Sequence, residues 1–267
     1  MKIPVYHIDA FADRPFAGNP AAICPLTTWL PDKVLQSIAA EHNLSETAFY
    51  VPRNDGAYDM RWMTPEVEVD LCGHATVAAA YVIMDLRREF AGGTLRFHTK
   101  SGELSVTKVD GRYALNFPAR PPQPCPLPPN LAEALGAEPE TVLAARDYLC
   151  VYRTAQEVLA LKPDFAKVAA LDKFAVIVTA PGEDCDFVSR FFAPAKGIDE
   201  DPVTGSAHCT LIPYWANSLQ KKTLFARQVS ARGGELWCEH LGERVLIAGH
   251  AVKFSEGTIE LPGATKA

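Results

Sequence analysis

The chain has 267 residues, 48% hydrophobic and 22% charged, which is enough to bury one large core or two of about 130 residues each and fits neither a disordered nor a fibrous class. A net charge of −6 without a Lys/Arg cluster argues against nucleic acid as the main partner, because phosphate binding rests on grouped cations. The N-terminus has no apolar core of signal-peptide length, and the longest apolar run, residues 75–84, is too short to cross a bilayer. A soluble, cytoplasmic protein with no membrane partner is expected. The seven cysteines are odd in number, scattered, and include no Cys-x-x-Cys pair. Buried reduced thiols are therefore expected, with neither a disulfide framework nor a metal site.

In chain order, residues 4–11 alternate as a strand, and turn residues break them before a second strand at 21–24. Residues 31–42 have the spacing of a helix, with Val34, Leu35, Ile38 and Ala39 on one face. After Asn43 comes Glu46, the one carboxylate in a β-prone stretch. Strands are predicted at 58–63, 95–97, 103–108 and 113–117, the last two joined by a hairpin turn at Asp110-Gly111. Residues 118–129 carry seven prolines, which fit neither a helix nor a central strand. They are read as a stiff connector (119–129) between a first lobe, 1–118, and a second, 130–254, with the terminal stretch 255–267 a candidate to join the first. The second half predicts helices near 130–135 and 164–171, strands at 148–153 and 174–179, and closing strands at 225–230, 234–239, 244–249 and 251–254.

Two stretches repeat. Asp70-Leu71-Cys72-Gly73-His74-Ala75-Thr76 and Asp201-Pro202-Val203-Thr204-Gly205-Ser206-Ala207-His208 each lead into an apolar helix candidate. Arg61 to Pro65 is echoed by Arg190 to Pro194, and Gly102-Glu103-Leu104 by Gly234-Glu235-Leu236. The prolines are 129 residues apart, and the glycines Gly73 and Gly205 are 132 apart. This spacing predicts a duplicated domain, in which two mixed α/β lobes each wrap a curled sheet on a central helix. The two helix starts could then face one another across a cleft.

Helix N-termini favour an anionic group or a developing oxyanion. Gly73, His74, Ala75, Gly205 and Ser206 would supply N–H groups, and Thr204 and Ser206 hydroxyls. Glu46 could serve as the base that removes a proton from a carbon acid, with His74 or Asp201 orienting it or holding the substrate. A glutamate of ordinary pKa is a poor base at neutral pH, so the site should be dry or bring Asp201 near Glu46. Cys72 at a helix start offers a thiolate route, although the second loop has no matching cysteine. Plainer readings stay open: Glu46 as a solvated loop residue, Asp201 as a cap, His74 as a buried imidazole.

Phe16-Ala17-Gly18-Asn19-Pro20, Leu44 to Phe49, Arg61 to Pro65, the two repeated loops and Ala231 to Gly234 together resemble the PhzF-like (phenazine biosynthesis-like) family, within the diaminopimelate-epimerase-like fold. The resemblance implies two pseudo-equivalent lobes, a cofactor-free site between them and a homodimer. It implies Glu46 as general acid/base with His74 and Asp201 as catalytic partners. Asn19, Ser45, Cys72, Gly73, Ala75, Thr204, Gly205 and Ser206 would lie near a small anionic substrate. The expected activity is isomerisation by relocating a proton on a small carboxylate-bearing acid, cyclic dihydroaromatic acids included. The alternatives are a Cys72-assisted epimerase or racemase and a non-catalytic ligand-binding protein.

Overall fold

A computed structural model describes residues 1–90 and 92–261, and the chain divides into two compact units, Asn116–Ala248 and Met1–Leu115 with the chain from Gly249. In the first unit, β1 (Lys2–Ala10) pairs antiparallel with β2 (Asn19–Pro25). Helix α1 (Asp32–His42) ends on Asn43 in the left-handed conformation, φ 49°, whose N–H caps Ala39 O at 3.1 Å. This tight stop lets β3 (Glu46–Pro52) begin three residues later, parallel to β2 with Ala21 opposite Glu46. Antiparallel β4 (Tyr58–Met63) and the two-residue β5 (Glu68–Val69) follow, then helix α2 (Gly73–Tyr81). β6 (Thr94–Thr99) lies parallel to β4, and β7 (Gly102–Val109) and β8 (Arg112–Pro118) form the expected hairpin.

The second unit repeats this order. It contains β9 (Gln123–Pro124), α3 (Leu131–Leu135), β10 (Thr141–Ala144), β11 (Tyr148–Val151), α4 (Ala155–Ala160) and α5 (Phe165–Ala169). Next come β12 (Val176–Pro181), β13 (Phe187–Phe192), α6 (Gly205–Ser218), β14 (Thr223–Gln228), β15 (Gly234–His240) and β16 (Arg244–Gly249). β11 and β12 are parallel, β12 and β13 antiparallel, β13 and β14 parallel, as are β2, β3, β4 and β6 in turn. The last strand, β17 (Ala251–Glu260), pairs antiparallel with β1 from Ala10 back to Lys2 and so belongs to the first unit. Residues 262–267 of the expected terminal stretch lie outside the described residues.

Each unit is built on one buried helix. In α2 every residue from His74 to Ala80 is buried, and its small side chains let β1, β2, β3 and β17 pack close. Past Tyr81 the helix widens into a π-turn over Val82–Leu86, closed by Arg87 N–H to Val82 O at 2.8 Å. In α6 the anchor is Trp215, stacked on Phe187 with centroids 5.6 Å apart and donating its indole N–H to Thr179 Oγ1 at 2.9 Å. The helix also contains Pro213. Proline has no N–H, so the carbonyl four residues back, on Cys209, loses its helical donor. Arg120, from the proline-rich run, fills that place with its own N–H at 2.8 Å. The run is therefore seated on the second unit through the acceptor that Pro213 leaves over.

Replacing a mid-helix proline by alanine usually stabilises by about 3 kcal/mol. In Pro213→Ala the restored amide competes with Arg120 for one carbonyl, so the gain measured by urea unfolding should fall well short of that figure. The Arg120 amide should exchange with solvent at least about tenfold faster, a sign of a weakened seat.

Candidate active site

The first unit places three of the expected residues in contact. Glu46 is the first residue of β3, and its side chain is 12% exposed, so the solvated-loop reading does not hold. Cys72, in extended conformation, is the residue before α2, and His74 is the helix's second residue. His74 Nε2 lies 3.3 Å from Glu46 Oε2, and His74 Nδ1 lies 3.5 Å from Cys72 Sγ. The imidazole thus sits between thiol and carboxylate, one nitrogen toward each. Asn19 opens β2, fully buried, on the same strand face as Ala21, the residue opposite Glu46. Ser45 is half-buried and directly precedes β3.

Burial decides the charge of His74. Removal from water pulls its pKa down to about 3, against a smaller upward pull from a hydrogen bond to the Pro20 backbone. At neutral pH the ring is uncharged, so its contact with Glu46 is not an ion pair. A neutral imidazole donates from one nitrogen and accepts at the other. Its N–H serves the Pro20 carbonyl, and the 3.3 Å approach of Nε2 to Glu46 Oε2 is a contact rather than a hydrogen bond. Glu46, Cys72 and His74 are also the set among the described residues whose ligand atoms cluster within 4.8 Å of one another.

The start of α2 carries the remaining chemistry. Cys72 makes no side-chain cap, and the first turn has no acidic residue. Thr76 Oγ1 instead turns back to donate to Cys72 O at 2.6 Å. The first-turn N–H groups of Gly73, His74 and Ala75 have no partner within the helix.

The second unit holds its loop differently. Thr204 precedes α6 in extended conformation, again without a side-chain cap, because its hydroxyl donates to Asp201 Oδ2. Asp201 and Thr204 are buried, 8% and 6% exposed. Ser206 is half-buried at the helix's second position, and its Oγ accepts from Arg146 Nη2 at 3.1 Å. Arg146 also forks onto the fully buried Asp147, at 3.1 and 3.3 Å, and lies 4.2 Å over the Phe174 ring. His208 Nδ1 donates to Thr204 O at 2.8 Å, and burial lowers its pKa to about 4. Cys209, one turn into α6, is pushed up to about 11 by burial and stays a thiol.

Sequence reading passed over Gln228, Arg146 and Asp147. Gln228 had a signal: on β14 it follows Leu224 and Ala226 in the inward phase, a place where an alternating strand ordinarily carries an apolar side chain. Arg146 and Asp147 sit in a short turn between β10 and β11 with no pattern to mark them.

A sequence profile for the phenazine biosynthesis-like protein family (PhzC-PhzF) matches residues 8–257. A Pseudomonas aeruginosa protein named as an uncharacterized isomerase is 54% identical over 98% of this chain and the whole of its own. The crystal structure of a PhzF-family phenazine biosynthesis protein from Enterococcus faecalis superposes with a TM-score of 0.95 at 48% identity, covering 98% of this chain and all of that one. A hydroxyproline epimerase from Agrobacterium vitis, with a TM-score of 0.64 at 9% identity over 98% of this chain and 94% of its own, shares the fold alone. The chain belongs to the phenazine biosynthesis-like (PhzF) family.

Proposed function

We propose that the protein is a cofactor-independent isomerase that relocates a proton on a small carboxylate-bearing carbon acid, cyclic dihydroaromatic acids included, with Glu46 as general acid and base. The observation that carries this reading is the nearly buried Glu46 carboxylate, 3.3 Å from an imidazole that burial keeps neutral. Moving a proton from one carbon to another needs a group that accepts it, holds it and returns it, and donors for the charge that develops meanwhile. Glu46 is the acceptor, the neutral His74 ring packs against the carboxylate, and the N–H groups of Gly73, His74 and Ala75 stabilise the enolate-like oxygen. No electron leaves the substrate, so the overall change is a proton shift. Asn19 and Ser45 contribute to substrate binding. Asp201, with Thr204, Gly205 and Ser206, is assigned to the same turnover as a second acid and donor set, a claim that kinetics can test.

A second reading has one observation in its favour, the Cys72 thiol at the start of α2 with its Sγ 3.5 Å from His74 Nδ1, a place suited to a cysteine-assisted epimerisation. A two-thiol version lacks its partner, since Cys209 is held protonated and Thr204 stands where the second unit repeats Cys72.

Deuterium wash-in from D2O, followed by mass spectrometry across a panel of cyclic and amino-acid carboxylates, separates these readings. Glu46→Gln should lower exchange by at least about 100-fold, the usual worth of a general base. Asp201→Asn should lower it by at least about tenfold, and Cys72→Ala should stay within about tenfold of wild type. Loss confined to Cys72→Ala would establish the epimerase, and binding without any exchange would leave a ligand-binding protein.

The two buried histidines also set an acid limit. Their folded pKa values, about 3 and about 4, lie below the ordinary histidine value of 6.5, so the unfolded chain binds protons that the folded one refuses. Stability is full above pH 6.5 and falls as pH drops toward those values, by up to about 1.4 kcal/mol per pH unit per histidine. Carboxylates such as Glu68, held at about 2 beside Arg61, lose their own contribution only below about pH 4.5. Urea midpoints should therefore fall between pH 6.5 and 5, and His208→Asn should flatten that slope.

A further inference from the structure

We propose that Gln228 is a positioning residue that fixes the direction of the hydrogen bond from Thr204 to Asp201, keeping Asp201 Oδ2 an acceptor so that a proton on this carboxyl group resides on Oδ1. The inference rests on the catalytic part proposed above for Asp201.

Two backbone groups settle which way the Gln228 carboxamide is turned. Thr204 N–H, which can only donate, lies 2.8 Å from Oε1, and Asp201 O, which can only accept, lies 2.7 Å from Nε2. With the amide so fixed, the other Nε2 proton is directed at Thr204 Oγ1, 3.1 Å away. A hydroxyl that accepts from an amide has its single proton left to give, and Thr204 gives it to Asp201 Oδ2. Reversing any link would set two donors or two acceptors face to face in a region where Gln228 is 1% exposed and Thr204 6%. The protonated oxygen of a carboxylic acid is the weaker acceptor, so the fixed donor favours a proton on the opposite oxygen. Ser230 Oγ, donating to Pro202 O at 2.8 Å, ties the loop between them to the segment after β14.

A glutamate at this position accepts at both oxygens. Gln228→Glu should therefore draw the Thr204 hydroxyl away from Asp201 and set a second carboxylate near it, both of which raise the proton affinity of Asp201. The midpoint is read by NMR titration of protein labelled with 13Cγ-aspartate, with Asp201→Asn to assign the signal, on samples shown to be folded by circular dichroism. Gln228→Glu is expected to raise Asp201 proton affinity at least about tenfold, and by less than half as many pH units in a Thr204→Val background. If Gln228→Glu does not fold, Gln228→Met removes both amide donors at similar length and should raise the affinity about threefold. An unmoved midpoint in the folded variant overturns the proposal, as does an equal shift with and without the Thr204 hydroxyl, which would be plain charge repulsion. The titration needs no substrate. A shifted midpoint without deuterium exchange would retain the positioning role and retire the isomerase reading, and normal exchange with an unmoved midpoint would do the reverse.

Discussion

A helix buried along most of its length presents chemistry chiefly at its ends, and that constraint shapes both units. From His74 to Ala80, α2 touches protein on all sides, and its sides are closed to any ligand. Its N-terminal turn is different, because the first N–H groups have no helical partner and Cys72 does not cap them. A conventional Ser or Asp cap would have closed this edge. Here the residue before the helix uses its side chain elsewhere, a thiol toward His74 in the first unit and a hydroxyl toward Asp201 in the second.

The repeat preserves geometry more strictly than chemistry. Arg61 forks onto Glu68 with both contacts at 2.8 Å, and Arg190 forks onto Glu200 at 2.8 and 2.9 Å. Each pair ties a strand to the loop that leads into the central helix, and because both partners are only partly exposed, the fork holds direction as well as charge. The positions that could react have diverged. Thr204 stands for Cys72 and Ser206 for His74, while the parallel strand that opens with Glu46 in the first unit opens with Val176 in the second. This strand start therefore carries a carboxylate in the first unit and an apolar side chain in the second. The second unit offers hydroxyls and Asp201 instead, which suits it to donate and to hold.

Much of this was legible in the sequence because it rests on local rules. The strand alternation, the Asp110-Gly111 turn, the stop at Asn43 and the repeat spacing each survive in the structure at nearly the expected residues. What stayed hidden depends on contacts between distant residues. Nothing near Glu46 marks it as buried, since its neighbours Cys72 and His74 come 26 and 28 residues later. The seat of Arg120 on Cys209 could not be read from the proline run, although Pro213 alone implied an orphaned carbonyl somewhere in α6. Gln228 broke the alternation of β14, but its partners lie 24 and 27 residues away.

Burial of His74 bears directly on what its neighbour can do. Glu68, a few residues before α2, sits between Arg61 and Lys100, and these cations hold it at about 2. A carboxylate so held carries no proton at any pH near neutrality and cannot return one to a substrate. An imidazolium beside Glu46 would impose a hold of the same kind. Burial removes that charge from the ring, so a neutral imidazole lies beside the carboxylate without the pull of a full cation. The burial of α2 from His74 to Ala80, which gives the first unit its core, is thus also what keeps a cationic ring from forming beside the Glu46 carboxylate.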